Sequence, residues 1–442
     1  MAVTADRLTT EEILRLNREY TFFSWSAQAK INPIVMDRAE GIYFWDPDGK
    51  RYIDFNSQLM SVNIGHGDAR VADAISAQAH QLAFAAPQFA TEVRGRLGQL
   101  LAELTPGDLN TFFFTLGGAE ANENALRLAR MFTGRQKVMA RYRSYHGATA
   151  GAISATGDPR RWANEPAVPG FVRVLDPQRY PGGESEPLDA HLAYLDEVIN
   201  YEGPHTIAAF ILETVVGTNG ILIPPDGYLQ GVRELCDRYG ILLIADEVMA
   251  GFGRTGRWFA VDHWGVVPDL LTMAKGLTSS YLPLGAVAIS PRIAQHFAEK
   301  VYYGGLTYSA HPLSCAAAIA AVNVLRDDDL VGNAARLGPV MGAHLERLQA
   351  NHPSVGAVRN IGLFGIVELI RDRTTREPMA PFNGSSPEMA ALDARLKADG
   401  LYTMQHWDSF FTNPPLCITE LQLDEAFAII DAALEVTDAA VR

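Results

Sequence analysis

The sequence predicts an α/β fold in which a parallel sheet carries reactive groups at one edge. Two apolar runs, residues 241–245 and residues 270–274, lie close together along the chain. Continuous apolar runs of this length are typical of strands that are covered on both faces. The first run stops at Asp246 and Glu247, and the second stops at Lys275. Because open α/β sheets bind ligands beyond the carboxyl ends of their strands, we expect an acid and an amine to meet there.

An aspartate and a lysine in this arrangement suit pyridoxal 5′-phosphate. A lysine amine forms a Schiff base with the cofactor aldehyde, and a carboxylate beside the pyridine nitrogen favours its protonated form. The alternative is that Asp246 is an ordinary turn residue and Lys275 a solvated strand end. These two residues alone leave both interpretations open.

Length, composition and charge set wider limits. A chain of 442 residues exceeds one usual hydrophobic core, so two domains are expected. The net charge of −14 argues against nucleic acid or an anionic membrane as the main partner. No apolar run approaches the roughly 20 residues that cross a bilayer, and residues 1–20 do not resemble a signal peptide. The three cysteines are far apart, which predicts no metal site, no disulfide and a cytoplasmic location.

The first part of the chain predicts helices and a hairpin. Residues 9–19 begin with a threonine cap followed by acids, which favours a helix. Residues 41–55 form two strand-like halves around a turn, and residues 71–82 and 93–104 have the periodicity of amphipathic helices. Between the first helix and the hairpin lie aromatic residues, including Phe23 and Trp25. They either anchor this segment to a neighbouring domain or form part of the wall of a substrate pocket.

A strand, a glycine turn and a helix follow one another from residue 111 to residue 130. Small residues at such a turn let backbone N–H groups approach an anion, and the helix N-terminus adds partial positive charge. This pattern predicts a phosphate site at Gly118 and Ala119. The alternative is a turn that is rich in glycine for steric reasons only.

Further strands are expected at residues 137–142, at residues 208–212 before Glu213, and at residues 284–290. Tyr145 follows the first of them, where it either stacks on a cofactor ring or packs at the surface. Helices are expected at residues 228–239 and 313–325, and the Gly- and Pro-rich residues 157–188 suggest a long surface loop.

The charged residues 326–329 mark an expected domain boundary. Beyond them, helices near residues 330–350, 387–399 and from residue 423, with strands near residue 359 and at residues 364–369, predict a smaller α+β unit. We therefore expect three parts: an N-terminal segment (residues 1–70) packed with the small domain, a large cofactor-binding domain (residues 71–325) and a small C-terminal domain (residues 326–442).

Six short motifs occur in an order and spacing that resemble one enzyme family. They are residues 117–123 (GGAEANE), 145–147 (YHG), 246–248 (DEV), 252–256 (FGRTG), 275–276 (KG) and 305–309 (GLTYS). Together they resemble the class III (ω-amino) aminotransferases of the fold type I pyridoxal-phosphate enzymes, closest to the ω-amine–pyruvate and taurine–pyruvate enzymes. The resemblance spans nearly the whole chain. It implies a large domain with a mostly parallel, seven-stranded type of sheet and a smaller α+β domain.

The resemblance also implies roles for individual residues. Lys275 would bind the cofactor aldehyde and later move the substrate proton, and Asp246 would pair with the pyridine nitrogen. Val248 and Tyr145 would cover the two faces of the ring, with Glu213 nearby. The backbone N–H groups of Gly118 and Ala119 would hold the phosphate. Thr307 would reach the phosphate of the partner subunit, since the family builds its sites across a homodimer interface.

The chain departs from the family pattern around the substrate. Met60 stands where many amine–pyruvate enzymes carry tryptophan, which implies a softer pocket. Residues 402–408 contain no arginine, so another group must bind the acceptor carboxylate. Gln405 and His406 are candidates for neutral hydrogen bonds, and Arg143 and Arg254 for an ionic contact.

The implied reaction moves an amino group from an amine or ω-amino acid to a small 2-oxo acid such as pyruvate, in two half-reactions. A first alternative keeps the cofactor but catalyses the aminomutase, racemase or dialkylglycine decarboxylase reactions of the same family. A second alternative is a non-catalytic scaffold on this fold.

Overall fold

The computed structural model describes residues 8–178 and 186–442. The strands are β1 (Arg38–Glu40), β2 (Tyr43–Trp45), β3 (Arg51–Asp54), β4 (Thr111–Thr115), β5 (Lys137–Arg141), β6 (Phe171–Val174), β7 (Ile207–Glu213), β8 (Leu242–Asp246), β9 (Leu270–Met273), β10 (Gly285–Ile289), β11 (Val355–Ile361), β12 (Phe364–Leu369), β13 (Leu401–Tyr402), β14 (Gln405–His406) and β15 (Ser409–Thr412). The helices are α1 (Thr10–Tyr20), α2 (Ser57–Met60), α3 (Ala69–Gln81), α4 (Glu92–Ala102), α5 (Gly118–Thr133), α6 (Ala150–Ala155), α7 (Leu188–Glu202), α8 (Tyr228–Tyr239), α9 (Pro291–His296), α10 (Pro312–Asp327), α11 (Leu330–Asn351), α12 (Pro387–Ala398) and α13 (Glu420–Asp438).

A seven-stranded sheet in the order β4-β10-β9-β8-β7-β5-β6 forms the centre of the molecule. Strands β5 to β9 pair in parallel, whereas β10 runs antiparallel to both β4 and β9. The carboxyl ends of β7, β8 and β9 therefore meet at one edge. Glu213 lies directly opposite Asp246, and Asp246 opposite Thr272. The sheet thus brings two carboxylates and the residues after β9 to the same place.

The sheet is buried on both faces, which explains its uninterrupted apolar runs. Alternate residues of a strand point to opposite faces. In β8, Leu242 and Ile244 pack in the cluster that contains Leu126 of α5. Leu243, one position away, packs with Val232 of α8 in a different cluster.

Two smaller sheets lie outside this centre. Strands β1, β2 and β3 form one of them together with β13, and β3 pairs with β13 in parallel. Strands β11, β12, β15 and β14 form the other. The N-terminal segment is therefore hydrogen-bonded to the C-terminal part of the chain. The division at residues 70 and 325 stays a prediction.

The prediction of a long surface loop at residues 157–188 was wrong in part. A 3-10 helix (Pro159–Asn164) and β6 interrupt it, and residues 179–185 lie outside the described residues. Helix α7 was not predicted either, although Leu195 and Ile199 bury an apolar face at helical spacing. Within the described residues, we found no helix with both the length and the hydropathy of a membrane span.

Candidate functional site

A cavity of about 400 Å³ opens at the carboxyl edge of the central sheet. Its walls come from the turn before α5, from the loop after β5 and from the ends of β7, β8 and β9. The lining residues include Leu59, Ser61, Gly117, Gly118, Ala119, Asn122, Tyr145, His146, Glu213, Thr218, Asp246, Val248 and Lys275. Seven of the eight residues that the sequence assigned to catalysis or cofactor binding therefore line one cavity; the exception is Thr307.

Asp246 is buried and accepts three hydrogen bonds. Its Oδ2 accepts from Asn122 Nδ2 and His146 Nδ1, both at 2.7 Å, and its Oδ1 accepts from the Val248 backbone N–H at 3.0 Å. Three donors satisfy this buried carboxylate, which would otherwise be costly to take out of water. They also fix its orientation toward the cavity.

Asn122 and His146 were not predicted from the sequence. Asn122 Nδ2 also donates to the His146 carbonyl, and its Oδ1 accepts from Thr272 Oγ1 at 2.7 Å. The network therefore joins α5, the loop after β5 and β9 around Asp246. Asn122 lies one helical turn into α5 on a face that is otherwise apolar. A polar residue in that position is the sequence feature that could have indicated its role.

Lys275 follows β9 with φ at +41°, a left-handed conformation that non-glycine residues adopt rarely. Burial of the amine lowers its pKa to about 8, and the nearby carboxylates of Glu213 and Asp246 oppose this shift. A larger fraction of the amine is consequently neutral near pH 7 than for an exposed lysine. Only the neutral amine is nucleophilic, so burial prepares Lys275 to attack a carbonyl group.

The start of α5 offers donors to an anion. The first N–H groups of a helix have no partner within the helix, and here Gly118 and Ala119 line the cavity. Val248 packs beneath them: a Cβ at Gly118 would lie 2.7 Å from Val248 Cγ1. Only glycine allows this close approach of the helix start to the residue after β8.

Glu213 and Tyr145 lie beside one another. Glu213 Oε1 accepts from the Tyr145 backbone N–H at 2.9 Å, and Oε2 accepts from Gly217 N–H at 2.7 Å. Burial raises the pKa of Glu213, while His146 and these donors act in the opposite direction. The contacts hold the loop after β5, and hence the Tyr145 ring, against the sheet edge.

Arg160, which was also not predicted, covers the Tyr145 ring. Its guanidinium carbon lies 3.6 Å from the ring centroid, a cation–π contact. It pairs with Asp158 and donates through Nη2 to Thr218 Oγ1, a cavity residue, at 2.7 Å. Arg160 thus brings positive charge to the rim of the cavity.

The predicted substrate-pocket residues are dispersed. Met60 is buried in an apolar cluster with Met249 and Phe411 and does not line the cavity; its neighbours Leu59 and Ser61 do. Phe23 is half-buried and Trp25 is 65% exposed, both outside the cavity lining.

Gln405 and His406 form β14, and Gln405 Nε2 and His406 Nε2 are buried without hydrogen-bond partners among the described residues. Burial lowers the pKa of His406 to about 4, with Arg160 acting in the same direction. His406 is therefore neutral at physiological pH. Thr307 is exposed in the single chain, away from the cavity.

Arg254, one of the two arginines considered for the acceptor carboxylate, holds the fold together instead. Its side chain is fully buried and donates to the carbonyl oxygens of Leu363 and Pro414 and to Ser57 Oγ and Asn63 Oδ1. Because its guanidinium donates to four acceptors within the protein, Arg254 has a structural role and is not available to bind the acceptor carboxylate. Arg143, the second candidate, lines a different cavity.

Comparisons with known proteins agree with this geometry. The chain matches the family described as aminotransferase class-III over residues 25–434. The solved taurine:2-oxoglutarate aminotransferase of Bifidobacterium kashiwanohense, in complex with pyridoxal phosphate and glutamate, is 42% identical; the match has a TM-score of 0.95 and covers 99% of this chain and 100% of that chain.

Two sequence relatives also match over most of their length. Taurine–pyruvate aminotransferase of Bilophila wadsworthia is 32% identical, over 96% of both chains. Putrescine–pyruvate aminotransferase of Pseudomonas aeruginosa is 33% identical, over 92% of this chain and 91% of the relative. The predicted α/β architecture of a fold type I transferase and the predicted family are confirmed. The chain belongs to the class III aminotransferases and is an enzyme that transfers amino groups.

Proposed function

We propose that this enzyme uses pyridoxal 5′-phosphate to move an amino group from an amine or ω-amino acid to a small 2-oxo acid such as pyruvate. One observation carries the proposal: the Lys275 amine and the Asp246 carboxylate line the same cavity as the N-terminus of α5. Each of the three features matches one group of the cofactor. The amine can bind its aldehyde, the carboxylate can pair with its pyridinium, and the helix N–H groups can donate to its phosphate.

The residues present fit this cofactor. Gly118 has no side chain, so Val248 packs directly against the start of α5. The Gly118 and Ala119 backbone lines the cavity, where the first N–H groups of the helix suit a phosphate. Asp246, held by three donors, suits the pyridine nitrogen, and Tyr145 and Val248 suit the two faces of the ring. When bound, the cofactor accepts electrons from the substrate carbon that loses a proton.

The chain's own residues then act on the substrate. Lys275 Nζ would take the proton from the carbon that bears the amino group and pass it to the cofactor, and in the second half-reaction it would return a proton to the corresponding carbon of the acceptor. The negative charge of Asp246 would keep a proton on the ring nitrogen of the bound cofactor. Asn122 and His146 hold Asp246 in place, and Tyr145 and Val248 would pack against the two faces of the ring.

Arg160 is placed to bind the anionic end of the substrate. Residues 402–408 contain no arginine that could do so. Its Nε and Nη2 contact Asp158 and Thr218, and among the described residues no hydrogen bond from Nη1 is found. A guanidinium binds carboxylate and sulfonate groups alike through charge-assisted hydrogen bonds. The contact with Tyr145 holds it at the cavity rim.

Arg160→Gln is expected to lower the activity with amine donors that carry an acidic group, and to leave the activity with other donors nearly unchanged. We expect kcat/KM of the first half-reaction to fall about tenfold or more for taurine and β-alanine, because charged hydrogen bonds contribute roughly 1.5–3 kcal/mol. For 1-phenylethylamine, which has no acidic group, it should stay within about twofold. Single-turnover spectra without acceptor measure this, with Arg161→Gln as the control. Equal losses for all three donors would show that Arg160 only supports Tyr145.

Gly118→Ala is expected to weaken cofactor binding about tenfold or more. The new Cβ would displace Val248 or the start of α5, and overpacking of this kind costs about 1–3 kcal/mol. The measurement is the apparent dissociation constant of pyridoxal phosphate from titration of the apoenzyme. Gly95→Ala in α4, where a Cβ meets open space, is the control. Unchanged affinity in Gly118→Ala would remove the phosphate assignment.

A donor panel tests the reaction itself. Holoenzyme mixed with taurine, β-alanine, γ-aminobutyrate, 1-phenylethylamine or putrescine should release one equivalent of carbonyl product per site and stop. Pyruvate should restore turnover, and 2-oxoglutarate is the second acceptor to test because it is the one named for the Bifidobacterium kashiwanohense enzyme. Steady turnover of a donor with no oxo acid would favour an aminomutase or racemase.

The same proposal includes a homodimer in the cytoplasm. Trp25, Phe89 and Tyr303 are each more than half exposed in the single chain, and exposed apolar surface of this kind is typical of an interface. Thr307, close in sequence to Tyr303, would then reach the phosphate of a partner site. The cysteines are free thiols, which suits a reducing compartment.

A further inference from the structure

A second, larger cavity adjoins the first. It has a volume of about 920 Å³ and lies between residues 142–162 and residues 368–408. The two cavities share no lining residue. Arg160 separates them: it pairs with Asp158, which lines the second cavity, and donates to Thr218, which lines the first. The second cavity is therefore a distinct space beside the reaction site.

The wall of this cavity contains a cation that forms no ion pair within the described residues, although the carboxylates of Asp176, Glu368 and Asp408 act on it from a distance. Arg143 donates through Nη2 to the Asn219 carbonyl at 2.6 Å, whereas its Nη1 is buried with no hydrogen-bond partner in the described part of the chain. No ion pair to Arg143 is found among these residues either. Burial lowers the pKa of Arg143 and these carboxylates offset only part of that cost, so an anion in direct contact would be favourable there.

The same cavity contains a carboxylate that forms no ion pair in the part of the chain that the structure describes, and Arg143 acts on it only from a distance. Asp408 accepts one hydrogen bond, from Ser409 Oγ at 3.0 Å, and within residues 8–178 and 186–442 no ion pair to it is found. The other acids of the lining differ, since Asp158 pairs with Arg160 and Glu368 pairs with Arg359. Burial raises the pKa of Asp408 to about 6, so the carboxylate is still mostly ionised at neutral pH.

Aromatic side chains form part of the remaining wall, together with the arginines Arg161 and Arg376. The Phe382 and Trp407 ring centroids are 4.4 Å apart, and those of Trp162 and Phe382 are 6.4 Å apart. Trp162 is 51% exposed and Phe382 is 66% exposed, so much of their apolar surface is available. An apolar group of a ligand would remove this surface from water, which is favourable.

We propose that the second cavity binds a free hydrophobic α-amino acid as its zwitterion. Arg143 holds the carboxylate, Asp408 holds the ammonium group, and Trp162, Phe382 and Trp407 pack against the side chain. A simple anion would leave Asp408 without a direct ionic contact, and a simple amine would leave Arg143 without one. A zwitterion satisfies both charges at once. This site is additional to the reaction site and does not depend on the proposed substrates.

The test is calorimetric titration of the holoenzyme with α-methyl-L-phenylalanine. This amino acid has no hydrogen on its α-carbon, so Lys275 cannot take a proton from it. We expect saturable binding to the wild-type enzyme and an affinity about tenfold or more weaker in Arg143→Gln and in Asp408→Asn, since each loses a charge-assisted hydrogen bond. The methyl ester and the N-acetyl derivative, each lacking one charge, should bind the wild-type enzyme at least about tenfold more weakly.

The control is Arg336→Gln, which removes an exposed arginine of α11 and should leave the affinity unchanged. Cofactor content and circular dichroism show whether each variant is folded. Absence of binding to the wild-type enzyme would overturn the proposal. So would equal affinity for the zwitterion and its singly charged derivatives, a comparison that needs no variant. Binding that is lost in Arg160→Gln but kept in Arg143→Gln and Asp408→Asn would assign the ligand to the first cavity and also overturn it.

Discussion

Lys275→Ala is expected to lower kcat for transamination by about 10³-fold or more. General acid–base catalysis alone contributes roughly 10²–10⁴-fold, and Lys275 is the amine that lines the cavity at the end of β9. In our account it both attaches the cofactor and carries the substrate proton. The variant should therefore also lose the absorbance of the lysine-bound cofactor. The measurements are steady-state rates with pyruvate and the absorbance spectrum of the purified protein.

Lys397→Ala is the matched control for this substitution. Lys397 pairs with Asp393 on α12, where both side chains are partly exposed, and ion pairs near the surface contribute only about 0.2–1 kcal/mol. Its activity and spectrum should match those of the wild-type enzyme. If Lys275→Ala kept the spectrum and a rate within about tenfold of wild type, a group other than Lys275 would have to move the proton.

Asp246→Asn is expected to lower kcat by roughly 100-fold while the protein stays folded. A neighbouring carboxylate shifts the pKa of an opposite charge by about 1–3 units, and asparagine removes that effect on the ring nitrogen. The substitution also replaces one carboxylate oxygen by an NH₂ group, which cannot accept the hydrogen bonds that Asn122, His146 and Val248 donate. The measurement is kcat with the best donor of the panel, together with thermal unfolding.

Asp237→Asn provides the comparison for this change. Asp237 is exposed on α8, where it pairs with Arg233, and does not line the cavity. It should leave kcat unchanged. A loss below tenfold in Asp246→Asn, equivalent to about 1.4 kcal/mol of transition-state stabilisation, would exclude a decisive role for its charge at the ring nitrogen.

The parts of the site that sequence reasoning located share one feature: each follows directly from a strand. Asp246 ends β8, Lys275 follows β9 and Gly118 begins the helix after β4. An apolar run that stops at a charged or glycine residue marks the strand end, and parallel strands bring such ends to one edge. Local pattern therefore determines both the element and the position of the residue at its end.

The remaining parts depend on tertiary contacts that no local pattern encodes. Arg160 lies in a Gly- and Pro-rich stretch and reaches the site only because its loop folds over Tyr145. Met60 lies in an irregular turn, with φ at +51°, that directs it into the core while Leu59 lines the cavity. Arg254 is in a recognisable motif, but its acceptors come from segments more than 100 residues away.

The central claim is that Lys275 forms a covalent bond to pyridoxal phosphate. Borohydride reduction of the holoenzyme makes such a bond permanent, and peptide mass spectrometry then identifies the modified residue. We predict one cofactor per chain on the peptide that contains Lys275, and none on it in Lys275→Ala. Cofactor attached to another lysine, or to no residue, would contradict the account.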